Sequence, residues 1–151
     1  MVGSVRRACL AAALILFMAG CGIIYFHNPG RARETADEFL SLLYASHDYD
    51  KAYLMTDKFF RDNFGREKLV KTAELFLSKY GKFEGTRADS YFTDGGSRDI
   101  TVFYTALSEG GQTYQKITLN DEGKNGYQIS SMEVSDVPFT GYRLIKKFKE
   151  E

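Results

Sequence analysis

Apolar residues follow three different rhythms along this chain. From Ala8 to Phe26 they are almost unbroken; from Arg31 to Tyr80 they recur at three- and four-residue steps; beyond Gly81 they alternate in short runs divided by glycine. The middle rhythm predicts helices. Ala32, Ala36, Phe39, Leu40 and Leu43 share one face of a helix over roughly Arg31 to Ala45, with Arg33, Glu34, Asp37 and Glu38 on the other. Ser46-His47-Asp48-Tyr49-Asp50 breaks it, and a short helical stretch through Ala52, Tyr53 and Met55 follows. Thr56-Asp57 supplies a cap for a turn carrying Phe59, Phe60 and Phe64, which Gly65 closes. Leu69, Ala73, Phe76, Leu77 and Tyr80 then repeat the helical spacing from Arg66 to Tyr80, and Gly81 stands where a terminator of positive φ is wanted.

The third rhythm predicts strands. Phe83 to Thr93, Asp99 to Leu107, Thr113 to Leu119 and Tyr127 to Val134 are rich in Tyr, Phe, Thr, Val and Ile. Short glycine-bearing joints at Asp94-Gly95-Gly96-Ser97, Ser108-Glu109-Gly110-Gly111 and Asn120 to Gly126 separate them, so successive strands pair as antiparallel hairpins. Helices first and a meander of about four strands afterwards make an α+β domain, with the helices on one face of the sheet. Ile100, Val102, Tyr104 and Ala106 alternate with Thr101, Phe103, Thr105 and Leu107, so both faces are part-apolar. That is expected of a strongly curved, cone-like sheet, since a flat sheet with one wet face alternates more cleanly. Past Pro138, Tyr142 to Lys149 reads as a short basic helix.

The first rhythm sets the compartment. Arg6 and Arg7, an apolar run and the small residues Ala19-Gly20 before Cys21 form a secretory signal. Met18-Ala19-Gly20-Cys21 resembles the lipobox of bacterial lipoproteins. That resemblance implies removal of residues 1–20 and fatty acylation (palmitate-type chains) at Cys21. Two alternatives stay open. Apolar character continues through Ile23, Ile24, Tyr25 and Phe26, so Ala8 to Phe26 approaches the ~20 residues that span a bilayer as an uncleaved signal anchor. An ordinary secreted protein is the other. All three place residues 31–151, a single domain behind a 21–30 tether, outside the cytoplasm. With two membranes, Gly22 lacks the aspartate associated with inner-membrane retention, so the outer membrane is expected.

Composition narrows the chemistry. Lys plus Arg equal Asp plus Glu at 20 each, so a nucleic-acid partner, which needs a basic excess on one face, is not expected. Both cysteines, Cys9 and Cys21, precede the domain, which therefore has no disulfide, thiolate metal site or cysteine nucleophile. Burial must stabilise it instead, with Phe and Tyr as the bulk of the supply.

The order helix, acidic-aromatic turn, short helix, longer helix, four strands resembles the nuclear-transport-factor-2-like (cystatin-like) cone fold. More narrowly, it is similar to small extracytoplasmic bacterial domains of unknown function built on that fold. Ala36, Phe39, Leu40 and Leu43, Asp48-Tyr49-Asp50 with Ala52-Tyr53, Phe60, Arg66-Glu67-Lys68-Leu69 and Tyr127-Gln128-Ile129 carry the likeness, over roughly Arg31 to Asp136. It implies a fold and no single activity, since one fold hosts enzymes, carriers and assembly modules.

Candidate chemistry is sparse. Ser46-His47-Asp48 has the letters of a hydrolase triad, but consecutive residues in a turn do not converge as a triad must. A capping turn is the plainer reading. His47, Asp48 and Asp50 are too few for zinc, and His27 lies in the tether, so no metal and no cofactor is expected. Asp89 and Asp99 are the candidates for an acid inside a cone, but both adjoin strand ends. Tyr53, Phe76, Tyr80, Tyr91, Tyr104 and Tyr114 are candidates to line a pocket for a small apolar ligand, or else they fill the core. Arg143, Lys146, Lys147 and Lys149 form a basic tail that reads as an amphipathic cap on the sheet edge, its charge tempered by Glu150 and Glu151, with contact to anionic headgroups as the alternative. These features point to a membrane-anchored binding or assembly module whose partners are an envelope protein or a small apolar ligand. A signal-anchored assembly domain and a small lyase, isomerase or hydrolase are the alternatives.

Overall fold

The structure, a computed structural model, describes residues 25–149. The signal segment, Cys21 and the C-terminal Glu150-Glu151 lie outside the described residues. Helix α1 spans Pro29–Leu40 and starts two residues earlier than the apolar period indicates. Asn28 accepts from the Arg31 amide at 3.1 Å, and Pro29 occupies the first turn, where its missing N–H costs nothing. The Pro-Gly pair thus starts the helix. The helix continues as a wider π-helical turn over Ser41–Ala45, closed by the Ser46 amide on the Ser41 carbonyl at 3.0 Å. Helices α2 (Tyr49–Leu54) and α3 (Lys58–Asn63) are capped by Asp48 and Asp57, and α4 runs Gly65–Tyr80.

Strands β1 (Phe83–Thr93), β2 (Asp99–Ser108), β3 (Gly111–Asp121) and β4 (Tyr127–Ser135) form the antiparallel meander. A fifth, β5 (Lys146–Lys147), completes the order β4-β3-β2-β1-β5. Register shifts between Phe83 and Gly85, Ala88 and Ser90, and Thr118 and Leu119 bend the sheet, because an extra residue on one strand increases local coiling. The helices pack on its concave face. Phe39, Leu40, Leu43, Tyr44, Phe60, Leu69 and Phe76 meet Ile100, Val102, Tyr104, Ile117, Leu119 and Ile129 in one buried core.

The tail corrects the expected C-terminal helix. Instead of coiling, residues 136–149 cross the convex face of the sheet and add β5 to the open edge of β1, pairing Ser90 with Lys147 and Tyr91 with Lys146. Leu144 sits at φ 65, which a continuing right-handed helix does not allow. Phe139 and Tyr142 cover Phe103, and Tyr142 also covers Phe92. Lys116 fastens the crossing: its ammonium donates to Tyr142 Oη at 3.0 Å, pairs with Glu133 and lies 5.4 Å from the centre of the Phe139 ring. Burial lowers the Lys116 pKa, but the Glu133 carboxylate and Tyr142 outweigh it and leave the group raised. The apolar character of both sheet faces therefore has a second cause besides curvature, because each face is covered.

Candidate functional site

The end of the domain at which Tyr25 enters is closed by a clasp. His27, read as a loose tether residue, is fixed: its Nδ1 lies 3.3 Å from Tyr127 Oη and its Nε2 lies 3.0 Å from the Ser97 carbonyl. The Asn28 amide donates to the same Tyr127 hydroxyl at 2.8 Å. Tyr25 stacks at a tilt on His27, and the Arg98 guanidinium lies 5.8 Å from the Tyr25 ring centre. The β1–β2 and β3–β4 turns thus receive the incoming chain at His27 and Asn28.

The six candidate pocket residues do not converge on one cavity. Phe76 and Tyr104 are core side chains, 4% and 1% exposed. Tyr104 donates its hydroxyl to the Arg33 carbonyl at 3.3 Å, and burial, with the nearby Asp37 carboxylate, holds that phenol far above its usual pKa. Tyr114 projects from the opposite face, since in the β2–β3 register Tyr104 lies beside Gln115 and Thr105 beside Tyr114. Tyr91 packs on Phe148 of the tail, and Tyr53 faces the Arg61 guanidinium. Phe76 and Tyr80 share a groove, an opening of about 230 Å³ completed by Thr72, Leu75, Lys79 and Val134. Tyr80 and Lys79 both hold Asp136 there, and those two contacts lower the Asp136 pKa.

Behind Phe76 the core is polar in a way the sequence pattern hides. Gln115 is fully buried on the concave face, beside the Tyr44 hydroxyl. Among the described residues neither group has a partner in hydrogen-bonding geometry, and the buried hydroxyls of Thr113 and Ser108 share that condition. Burial pushes the Tyr44 phenol well up, and the adjacent Gln115 amide offsets only part of it.

The Ser46-His47-Asp48 turn does not assemble a triad. The Asp48 carboxylate caps α2 through the Lys51 amide at 3.2 Å and pairs with the Lys51 ammonium at 2.6 Å, which lowers its pKa. Ser46 donates back to the Ser41 carbonyl at 3.3 Å, and His47 Nε2 donates to the Tyr44 carbonyl at 3.1 Å. Neither candidate acid lies in the concave core. Asp89 accepts from Thr105 on the convex face at 2.6 Å, and Asp99 accepts from Asn120 at the sheet end. No group of three metal-ligating side chains occurs among the described residues.

A second site, which no local motif announces, lies on the β1 side. Helix α1, the stretch of β1 beyond its pairing with β5, and the tail enclose a cleft of about 550 Å³ lined by Arg33, Asp37, Thr86 to Asp89 and Lys147 to Lys149. Arg33 meets Asp37 at 3.5 Å and Arg87 meets Asp89 at 2.8 Å, each through its Nε atom. Helical i,i+4 spacing places the first pair, and two-residue alternation along a strand places the second.

No family model, no curated protein and no solved structure matches this chain. What the geometry defines is a helix-on-curved-sheet α+β domain whose concave centre is packed and whose openings lie at its flanks.

Proposed function

We propose that this chain is an envelope lipoprotein, acylated at Cys21 and held outside the cytoplasm, whose cone-like domain acts by binding at its surface. The resemblance to extracytoplasmic cone-fold domains is part of that reading. The clasp at Tyr25 to Asn28 carries it. Only Gly22, Ile23 and Ile24 separate Cys21 from Tyr25, so even a fully extended link places the domain within about 14 Å of an acylated cysteine. A module built this close to its anchor presents the β1–β2 and β3–β4 turns to the bilayer and its flanks to partners. Binding is favoured over turnover because the concave face is filled by Phe39, Tyr44, Phe76 and Tyr104, leaving surface grooves as the accessible sites. An envelope protein or a small ligand is the partner in this reading, and in a two-membrane envelope the outer membrane is the location.

The orientation is measurable, because the chain has no Trp. Single Lys124→Trp and Glu84→Trp variants of the full chain, reconstituted in vesicles containing brominated lipid, report the two ends of the sheet. Stronger quenching at position 124 is expected. Equal or reversed quenching contradicts a domain clasped turn-first to its membrane.

A further inference from the structure

We infer that the cleft between α1, β1 and the tail is a binding site for a doubly charged oxyanion of the phosphate type. Four cationic side chains, Arg33, Arg87, Lys147 and Lys149, and two carboxylates, Asp37 and Asp89, line it. The cleft therefore carries a net positive charge of two at neutral pH, which suits a dianion.

The arginines are oriented as well as numerous. Each guanidinium is engaged by its carboxylate through Nε, the inner nitrogen. That contact leaves the terminal pair of nitrogens for a ligand, and a fork of parallel N–H groups is what recognises phosphate or carboxylate oxygens bidentately. Both forks are held. Arg33 also lies 5.7 Å from the centre of the Phe148 ring, and Asp89 is itself fixed by the Thr105 hydroxyl at 2.6 Å. Arg33 is the more shielded, with its side chain 37% exposed against 78% for Arg87. Lys147 and Lys149 have no carboxylate within ion-pairing distance among the described residues. As diffuse charges on flexible stems they complement the two forks. Phe148 and Ala88 supply an apolar wall for whatever carries the anion.

The oxyanion has two sources, a soluble phosphorylated compound or an anionic lipid headgroup, and the recognition chemistry is the same. The site does not depend on acylation of Cys21, so it stands or falls separately from the anchor.

The probe is inorganic phosphate, titrated calorimetrically at mildly alkaline pH, where it is chiefly a dianion, into the full chain in phosphatidylcholine nanodiscs at low salt. Saturable binding is expected, weakening as salt rises because exposed charges are screened. Arg33→Gln and Arg87→Gln should each weaken it about three- to tenfold, less than a buried charge-assisted bond would give because both groups are partly solvated. Lys71→Gln, a cation on α4 outside the cleft, should leave it unchanged. Repeating the titration with phosphatidic acid in the discs, a lipid whose phosphomonoester can carry the same two charges, separates the sources. Competition that Arg33→Gln abolishes identifies a headgroup as the occupant, and an unchanged affinity identifies a soluble one; either supports the oxyanion site. Absence of saturable binding, or equal affinity in wild type and both arginine variants with their thermal unfolding intact, overturns it.

Discussion

Gly110 donates its backbone N–H to the Tyr80 carbonyl at 2.7 Å, and a Cβ on that glycine would stand 2.8 Å from the same oxygen. The β2–β3 turn is therefore pressed against the last turn of α4, backbone to backbone, and neither side is a flexible side chain that can swing away. Gly110→Ala should destabilise the domain by about 1–3 kcal/mol, the range for forced overpacking. Gly95→Ala, where an added Cβ meets nothing within 4 Å, should stay within about 0.5 kcal/mol of wild type. Denaturant unfolding of the two variants checks the contrast.

Adjacent residues on α4 test which face of that helix is the core. Phe76 is 4% exposed and Leu75 is 60% exposed. Phe76→Ala should cost about 3–5 kcal/mol through lost burial and the cavity left behind. Leu75→Ala should cost under about 0.5 kcal/mol. Similar losses for both would mean that the helix packs by a different face.

The candidate pocket tyrosines should separate by their hydroxyls. Tyr104→Phe removes a buried bond to the Arg33 carbonyl and should lower stability by about 0.5–1.5 kcal/mol. Tyr114→Phe removes only an exposed bond from Gln112 and should be nearly silent. Equal effects in thermal unfolding would contradict the assignment of the two side chains to opposite faces.

Alkaline pH offers a test of the buried phenols. Burial raises the folded-state pKa of both Tyr44 and Tyr104 above the unfolded value, about 10. The folded chain then holds protons that the unfolded chain releases, so their contribution is intact below about pH 10 and is lost as pH rises beyond it. Each phenol should add a slope of about 1.4 kcal/mol per pH unit there. Tyr44→Phe should remove its share of that slope. At neutral pH it should leave stability unchanged or slightly higher, because the hydroxyl it deletes has no hydrogen-bond partner. A slope identical to wild type above pH 10 would show that the Tyr44 hydroxyl reaches water.

Much of the fold was legible in local periodicity, and the sites were not. Strand β1 runs Phe83–Thr93 as the aromatic and β-branched pattern predicts, and α4 begins within one residue of its predicted start because Gly65 and Gly81 bracket it. Asp48 and Asp57 cap helices, as their positions before apolar runs suggest. The tail misled for a physical reason. Leu144, Ile145 and Phe148 have helical spacing, but the exposed edge of β1 offers Lys146–Lys147 inter-strand hydrogen bonds, and Phe148 gains the Tyr91 ring. The clasp joins His27 to Tyr127, and the cleft brings Arg33 on a helix beside Arg87 on a strand. Such partners meet only through topology, so neither pattern nor spacing could pair them. Gln115 was invisible for the opposite reason, as a polar residue at an inward strand position where alternation predicts an apolar one.

The anchor is tested most directly by acylation. Cells expressing the full chain are fed an alkyne fatty acid, and the protein is isolated and its mass and label are read together. Acylation at Cys21 gives a labelled product lacking residues 1–20, and in Cys21→Ala an unlabelled, unprocessed precursor. Label retained in Cys21→Ala, or a wild-type chain that carries no label, would contradict a lipoprotein anchored at Cys21.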